Sequence, residues 1–140
     1  MEVSKEILSE LAENIEMGYK CFIHKETLEI VIYIDPEEYL EIDADDWKEE
    51  INKVKKDKKK FIEIDKMSSS ESYIVMEEFI HSLDNNSTKI RLLQAIEGRK
   101  PFANFKHQIE NTDTERQLWF AFRKEKNMEW IQDQLNHISA

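Results

Sequence analysis

The hydrophobic pattern of the chain changes its period near residue 18. Between residues 4 and 17, apolar side chains recur every three or four positions, which predicts an amphipathic helix that ends at Gly18. The pattern then changes to period two, which predicts two strands. Tyr19, Cys21 and Ile23 share one face of residues 19–24, and the isoleucines share one face of residues 30–34 with Val31 and Tyr33 opposite. The first quarter of the chain is therefore predicted to be a helix followed by a hairpin, with the turn at residues 25–28.

The middle of the chain predicts another helix and a third strand. Asp46 is the predicted N-cap, Glu49 stands at the third helical position, and apolar residues recur at helical spacing as far as Val54. Residues 61–65 are the candidate for a third strand. Because a lone hairpin is marginally stable in water, we expect this third strand to pair with it on a helix-covered sheet.

The second half of the chain has helical spacing throughout. Ser68 and Glu71 match a capping box, Gly98 is placed to end a helix, and Pro101 suits the first turn of the next one. Asn127 predicts an interruption of the last helix. The pattern as a whole predicts an α+β fold, with a small antiparallel sheet of about three strands, an N-terminal helix and a mainly helical C-terminal half.

Size and composition narrow the class of protein. A chain of 140 residues is the size of one domain, so we expect a single compact domain over residues 1–140. The single cysteine, Cys21, cannot form an internal disulfide. The acidic N-terminus lacks the apolar run of a signal peptide, and no segment has the length of a membrane span. These features predict a cytoplasmic protein without membrane association.

The charge of the chain favours a basic protein as its partner. Thirty acidic and twenty basic residues give a formal net charge of −10. Nine of the acids and one base lie in residues 35–50, and we take four of these acids as a candidate acidic docking face: Asp43, Asp45, Asp46 and Glu49. A field of this sign repels nucleic acid and anionic membranes. A calcium loop is excluded here, because an EF-hand would need an oxygen ligand and Gly where Trp47 and Lys48 stand.

Recognisable catalytic motifs are absent from the sequence. Glu78 and His81 make one Glu-x-x-His pair, whereas a di-iron bundle needs two such pairs and two further carboxylates. Cys21 and His24 point to opposite faces of a strand and cannot form a catalytic pair locally. There is no G-x-S-x-G, phosphate loop or dinucleotide fingerprint. We therefore predict a non-enzymatic protein without cofactor or metal; a hydrolase with dispersed carboxylates is the enzymatic alternative.

Aromatic rings and cations are interleaved in the last third of the chain. The candidate contact residues are Arg99, Lys100, Phe102, Phe105, Lys106, Trp119 and Arg123. Helical spacing favours a core position for the rings. Arg99 and Lys100 precede a helix start, where an anion is favoured, which indicates contact with a carboxylate or phosphate of a partner. The alternative function is a nucleic-acid-associated regulator that uses these helices locally, and exposed rings would also allow a homo-oligomer.

Several stretches, in the same order along most of the chain, carry a resemblance to a known family. Besides the hairpin, they are residues 76–79, 98–102, 105–106 and 119–123. They resemble an uncharacterised bacterial protein family, number zero-one-five-eight, which has no assigned function. This chain differs from the family pattern at Leu28, where Gly is expected after Thr27. The resemblance implies a single compact bacterial domain and identifies no catalytic residue.

Overall fold

The computed structural model describes residues 1–138 and has the predicted α+β class. In chain order, the elements are α1 (Lys5–Glu16), β1 (Lys20–His24), β2 (Ile30–Tyr33), α2 (Lys48–Lys56), β3 (Phe61–Ile64), α3 (Ser69–His81), α4 (Asn86–Glu97), α5 (Pro101–Ile109) and α6 (Asp113–His137). A short 3-10 helix, Ala44–Trp47, directly precedes α2. The described helices include none with an apolar stretch long enough to cross a membrane.

The chain forms two compact units. The first comprises Met1–Lys66 together with the chain from Met128 onward, and the second is Met67–Asn127. Helix α6 contributes its N-terminal part to the second unit and its C-terminal part to the first. The single domain over residues 1–140 stays a prediction.

The first unit is built on a three-stranded antiparallel sheet with the order β2-β1-β3. Alternation along β1 sends Cys21 and Ile23 to one face and Phe22 to the other. The first face packs against α1 and the C-terminal part of α6, and its core includes the fully buried Leu11 and Ile131. The second face has a smaller core with α2, made by Phe22, Val31, Val54 and Phe61. Both faces of the sheet therefore carry an apolar core.

The hairpin turn is organised by His24 and Leu28. His24 is buried, and its Nδ1 accepts hydrogen bonds from the backbone N–H groups of Glu26 and Thr27, both at 3.1 Å. Leu28 has a φ of 63°, in the left-handed region that suits glycine and strains other residues. The backbone thus keeps the conformation of the glycine expected after Thr27, although this chain has leucine there.

The predicted N-cap of α2 is wrong, and the helix begins one residue later than predicted. Asp43, rather than Asp46, has the capping role, and its carboxylate accepts the N–H of Asp45 at 2.9 Å. The 3-10 helix follows, and α2 begins only at Lys48 without a side-chain cap. The error has a physical reason, because three aspartates lie close together and each is a good N-cap.

The second unit is a helical cluster around the ring of Phe79. The predicted capping box is confirmed, with reciprocal hydrogen bonds between Ser68 and Glu71 of 3.0 and 3.2 Å. Pro101 occupies the first turn of α5, as predicted. The buried core of the unit consists of Val75, Met76, Phe79, Ile80, Leu83, Leu92, Ile96, Phe105, Ile109 and Trp119.

The predicted interruption at Asn127 is wrong, because α6 continues through this residue to His137. Asn127 is itself buried. An asparagine within a helix costs less than about 1 kcal/mol relative to alanine. The burial of Ile131 and Leu135, both 0% exposed on the next two turns, outweighs that cost.

Candidate functional site

The candidate acidic docking face lies on the 3-10 helix and the first turn of α2. Its four carboxylates, those of Asp43, Asp45, Asp46 and Glu49, belong to exposed residues. Within residues 1–138, none of them takes part in an ion pair. Negative charge is also favoured near the start of a helix. Within residues 1–138, the structure therefore holds four carboxylates without an ion pair within seven consecutive residues at the start of a helical segment.

A groove of about 340 Å³ lies beside this face, between β2 and α2. It is lined by Glu29, Ile30, Val31, Ile32, Trp47, Glu49, Glu50 and Lys53. The ammonium of Lys53 forms an ion pair with the carboxylate of Glu29. With three carboxylates against one ammonium group, the lining of the groove is negatively charged. Glu49 belongs both to the groove and to the acidic docking face.

The other side of α2 borders a cleft of about 470 Å³ with balanced charge. Its charged lining residues are Lys20, Asp35, Glu37, Asp45, Lys48 and Lys55. The ammonium of Lys20 lies 3.2 Å from the carboxylate of Glu63 and 3.6 Å from that of Asp35. With equal numbers of positive and negative groups, this cleft has less reason to attract a charged partner than the groove beside β2 has.

The protonation of Lys20 and Tyr33 does not favour catalysis in this cleft. Burial by itself would lower the pKa of Lys20, but the hydrogen bond and charge of Glu63, together with the interactions with Tyr33 and Asp35, outweigh it and raise the pKa. Burial also raises the pKa of Tyr33, although the charge of Lys20 opposes this. Catalytic lysines need a lowered pKa to be nucleophilic. At neutral pH, Lys20 is therefore an ammonium group and Tyr33 a neutral phenol.

Cys21 is equally unsuited to nucleophilic chemistry. Its side chain is fully buried, and burial, helped by the charge of Glu10, raises the pKa of the thiol to about 12. The thiolate is the reactive form of cysteine. Among residues 1–138, no group of three or more His, Cys, Asp or Glu side chains is arranged to hold a metal ion.

The structure separates the rings of the predicted contact region into core and surface. Phe105 and Trp119 are buried, with their ring centres 4.9 Å apart in an edge-to-face contact. Both rings also contact Phe79. Phe102 is 42% exposed: it lies in the first turn of α5, on the same helix face by spacing as the buried Phe105 and Ile109, but it is outside their buried cluster. Of these three rings, only Phe102 can contact a partner without disturbing the core.

The cations of that region have different surroundings. Arg99, Lys100 and Lys106 are exposed. The guanidinium group of Arg123 instead lies 5.6 Å from the ring centre of Trp119 and 5.8 Å from that of Phe120. These distances allow cation–π contacts, which keep Arg123 against its own helix.

The chain belongs to a known family. A family model described as "Uncharacterised protein family (UPF0158)" matches residues 5–139. One relative is the UPF0158 protein PA5073 of Pseudomonas aeruginosa, which is 31% identical over 72 residues. The match covers 51% of this chain and 47% of the relative, so the chain matches about half of that protein's length. No solved structure matches the chain.

Membership of UPF0158 confirms the bacterial family resemblance and leaves function to be inferred from the site. The family has no assigned function. No catalytic or binding residue is transferred to this chain by the comparison. The residues described above therefore carry the functional interpretation alone.

Sequence reasoning missed two features of this UPF0158 chain. Asn104 fixes the α4–α5 turn, since its amide donates to the carbonyl oxygens of Arg99 at 2.8 Å and Ala95 at 3.2 Å. Lys100 has a φ of 54° in the same turn.

The second missed feature is the groove between β2 and α2, which depends on the order of the strands in the sheet. A local hydrophobic pattern gives strand positions but not strand order, so no sequence signal identified it.

Proposed function

We propose that this UPF0158 chain is a non-enzymatic interaction module that binds a basic protein through its acidic docking face. One observation carries the proposal: Asp43, Asp45, Asp46 and Glu49 are exposed, lie at the start of one helical segment and have no ion-pair partner within residues 1–138. Such carboxylates are available to lysine and arginine side chains of a partner without breaking an internal ion pair.

The physical advantage of this surface is electrostatic. The formal net charge of −10 attracts a basic partner over distances near the Debye length, about 8 Å at physiological ionic strength. The local carboxylates then select the binding orientation. Because they lie on a helical segment, fewer backbone degrees of freedom have to be ordered on binding than for a disordered acidic tail.

We also place this function in the cytoplasm. The free thiol of Cys21 suits a reducing compartment, where structural disulfides are rare. Fractionation of the native bacterium with antibody detection tests this placement, and recovery outside the cytoplasmic fraction would contradict it.

The test of the interaction compares two variants with the same change in charge. Asp43→Asn, Asp45→Asn, Asp46→Asn and Glu49→Gln together change the formal charge from −10 to −6. The control carries the exposed-site changes Asp84→Asn, Glu97→Gln, Glu110→Gln and Glu125→Gln, with the same charge difference. Each protein is used to capture partners from nuclease-treated bacterial lysate, and captured proteins are quantified by mass spectrometry.

The proposal expects a basic protein to be retained by the wild type and by the control, and to be lost from the variant of the acidic docking face. Equal retention by both variants would show that net charge alone attracts it. Absence of a stoichiometric basic protein from every sample would reject the proposal.

The second candidate function is nucleic-acid association through the start of α5. Its supporting observation is that the ring of Phe102 is 42% exposed on a helix that also carries the exposed Lys106 and follows the exposed Arg99 and Lys100. Phosphate contacts make affinity fall steeply with salt, and Phe102 supplies a face for base stacking. We expect Arg99→Ala with Lys100→Ala to weaken oligonucleotide binding. No binding at low salt, or binding that salt does not affect, would reject this candidate.

A further inference from the structure

Strand β2 lies at one edge of the sheet, with β1 on its inner side. The N–H of His24 donates to the carbonyl oxygen of Glu29 at 2.9 Å, and the same register places Phe22 opposite Val31. In an antiparallel pair, successive residues turn their N–H and C=O groups alternately toward and away from the partner strand. The backbone N–H and C=O groups of Val31 therefore point toward β1. Those of Ile30 and Ile32 point away from β1, toward the outer edge of the sheet.

The opposite edge of the sheet is partly covered. Just after β3, the backbone of Asp65 exchanges hydrogen bonds with the side-chain amide of Gln134, both at 2.8 Å. The indole of Trp130 donates to the same carbonyl oxygen. At β2, the corresponding space is the groove of about 340 Å³ that Ile30 and Ile32 line together with α2. An extended chain segment would supply the outer backbone groups of Ile30 and Ile32 with hydrogen-bond partners.

The charge of the groove identifies the kind of segment that fits. Glu29, Glu49 and Glu50 line it, and Lys53 is engaged by Glu29. A second copy of this chain, pairing through its own β2, would bring the same carboxylates together. Like charges placed opposite each other on paired strands are destabilising. A segment with basic side chains is favoured instead, because it neutralises the groove.

We propose that the outer edge of β2 binds an extended basic segment of a partner protein as a fourth strand, with Glu49 and Glu50 contacting its lysine or arginine side chains. This inference rests on the proposed function and specifies its binding mode: backbone pairing to Ile30 and Ile32 supplies affinity, and the carboxylates supply selectivity. The acidic docking face next to the groove then extends the contact beyond the strand.

The test uses the whole chain and fluorescent eight-residue peptides of alternating lysine and valine. Two derivatives carry backbone N-methyl groups, one on all lysines and the other on all valines. Alternate residues of a strand present their N–H groups to opposite edges, so each derivative blocks one edge and keeps the same charge. Strand addition predicts that one derivative loses about tenfold or more in affinity while the other binds within about threefold of the parent. A peptide that alternates glutamate and valine should not bind.

Two further measurements connect this binding to β2. Backbone amide exchange followed by NMR should slow at Ile30 and Ile32 when the parent peptide is added, while Val31 stays unchanged. Glu49→Lys with Glu50→Lys should weaken binding about tenfold or more, because attraction becomes repulsion. The matched control, Glu97→Lys with Glu110→Lys, has the same charge change at exposed sites of the second unit and should bind within about threefold of wild type.

The outcomes separate this inference from the proposed function. Absence of binding by the parent peptide, equal binding by both methylated derivatives, or unchanged exchange at Ile30 and Ile32 would overturn strand addition. If lysate capture still depended on the acidic docking face, the interaction function would stand without this binding mode. If capture failed as well, both proposals would be rejected.

Discussion

The indole N–H of Trp130 donates a hydrogen bond to the carbonyl oxygen of Asp65 at 2.8 Å, directly after the end of strand β3. Gln134, one helical turn further along α6, bonds the N–H and the same carbonyl of Asp65. Helix α6 thus satisfies the backbone where the third strand ends. The two edges of the sheet differ for this reason: helix α6 bonds the backbone at the end of β3, whereas the outer backbone groups of Ile30 and Ile32 on β2 face a groove.

Replacing Trp130 by phenylalanine should lower the free energy of unfolding by about 1 kcal/mol, because the carbonyl of Asp65 loses one hydrogen bond while most of the ring packing remains. Urea denaturation followed by far-UV circular dichroism measures this loss. An unchanged unfolding midpoint would show that the bond contributes nothing to stability.

At Leu28, glycine should be more stabilising than alanine, which is the reverse of their order in regular structure. Both substitutions remove the packing of the leucine side chain, but only alanine keeps a Cβ at a φ of 63°. We expect Leu28→Gly to exceed Leu28→Ala by about 1 kcal/mol in free energy of unfolding. If alanine were equal or better, the left-handed conformation of this residue would be contradicted.

The stability of the protein should fall more steeply with alkaline pH than that of Cys21→Ala. The pKa of the thiol is raised from 9.0 to about 12, so above pH 9.0 the unfolded chain loses a proton that the folded chain keeps. Stability from this group is complete below pH 9.0 and is lost as pH rises toward 12, by up to about 1.4 kcal/mol per unit.

Urea unfolding at pH 8 and pH 10.5 under reducing conditions provides this comparison. The wild type and Cys21→Ala should converge in stability as the pH rises. Parallel pH dependence of the two proteins would contradict a buried neutral thiol. Lys20 is present in both proteins, so its titration contributes equally to both and cancels in the difference between their stabilities.

The two phenylalanines of α5 should respond very differently to truncation. Phe105 is 3% exposed and contacts Phe79 and Trp119, so Phe105→Ala should cost about 3–5 kcal/mol of stability. Phe102 is 42% exposed, and Phe102→Ala should cost less than about 1 kcal/mol. Thermal or urea unfolding of the two variants decides the point. Similar losses would contradict the assignment of only Phe105 to the core.

The sequence predicts the fold class well because hydrophobic period is a local property. The helix that Ser4 caps, the three strands and the Ser68–Glu71 capping box all depend on residues a few positions apart. Choices among chemically similar residues were less predictable. Asp43 and Asp46 are equally good caps by type, and the 3-10 helix that begins after Asp43 was not predictable from residue type.

The candidate site was predictable in composition but not in arrangement. The run of acidic residues in the sequence was enough to identify the acidic docking face. The groove exists only because β2 is an edge strand, and the sequence does not show which strand lies at the edge. Helical spacing also placed Phe102 with Phe105, because periodicity cannot show how wide a buried stripe is. Whether each of these rings is buried or exposed depends on which other parts of the chain pack against α5.

The most direct test of the central claim is the affinity of the captured basic protein for three purified chains, measured by titration calorimetry. The chains are the wild type, the variant with carboxamides at Asp43, Asp45, Asp46 and Glu49, and the control with carboxamides at Asp84, Glu97, Glu110 and Glu125. The acidic docking face predicts a loss of affinity of about tenfold or more in the first variant and less than about threefold in the control. Equal affinities for the two variants would contradict the claim.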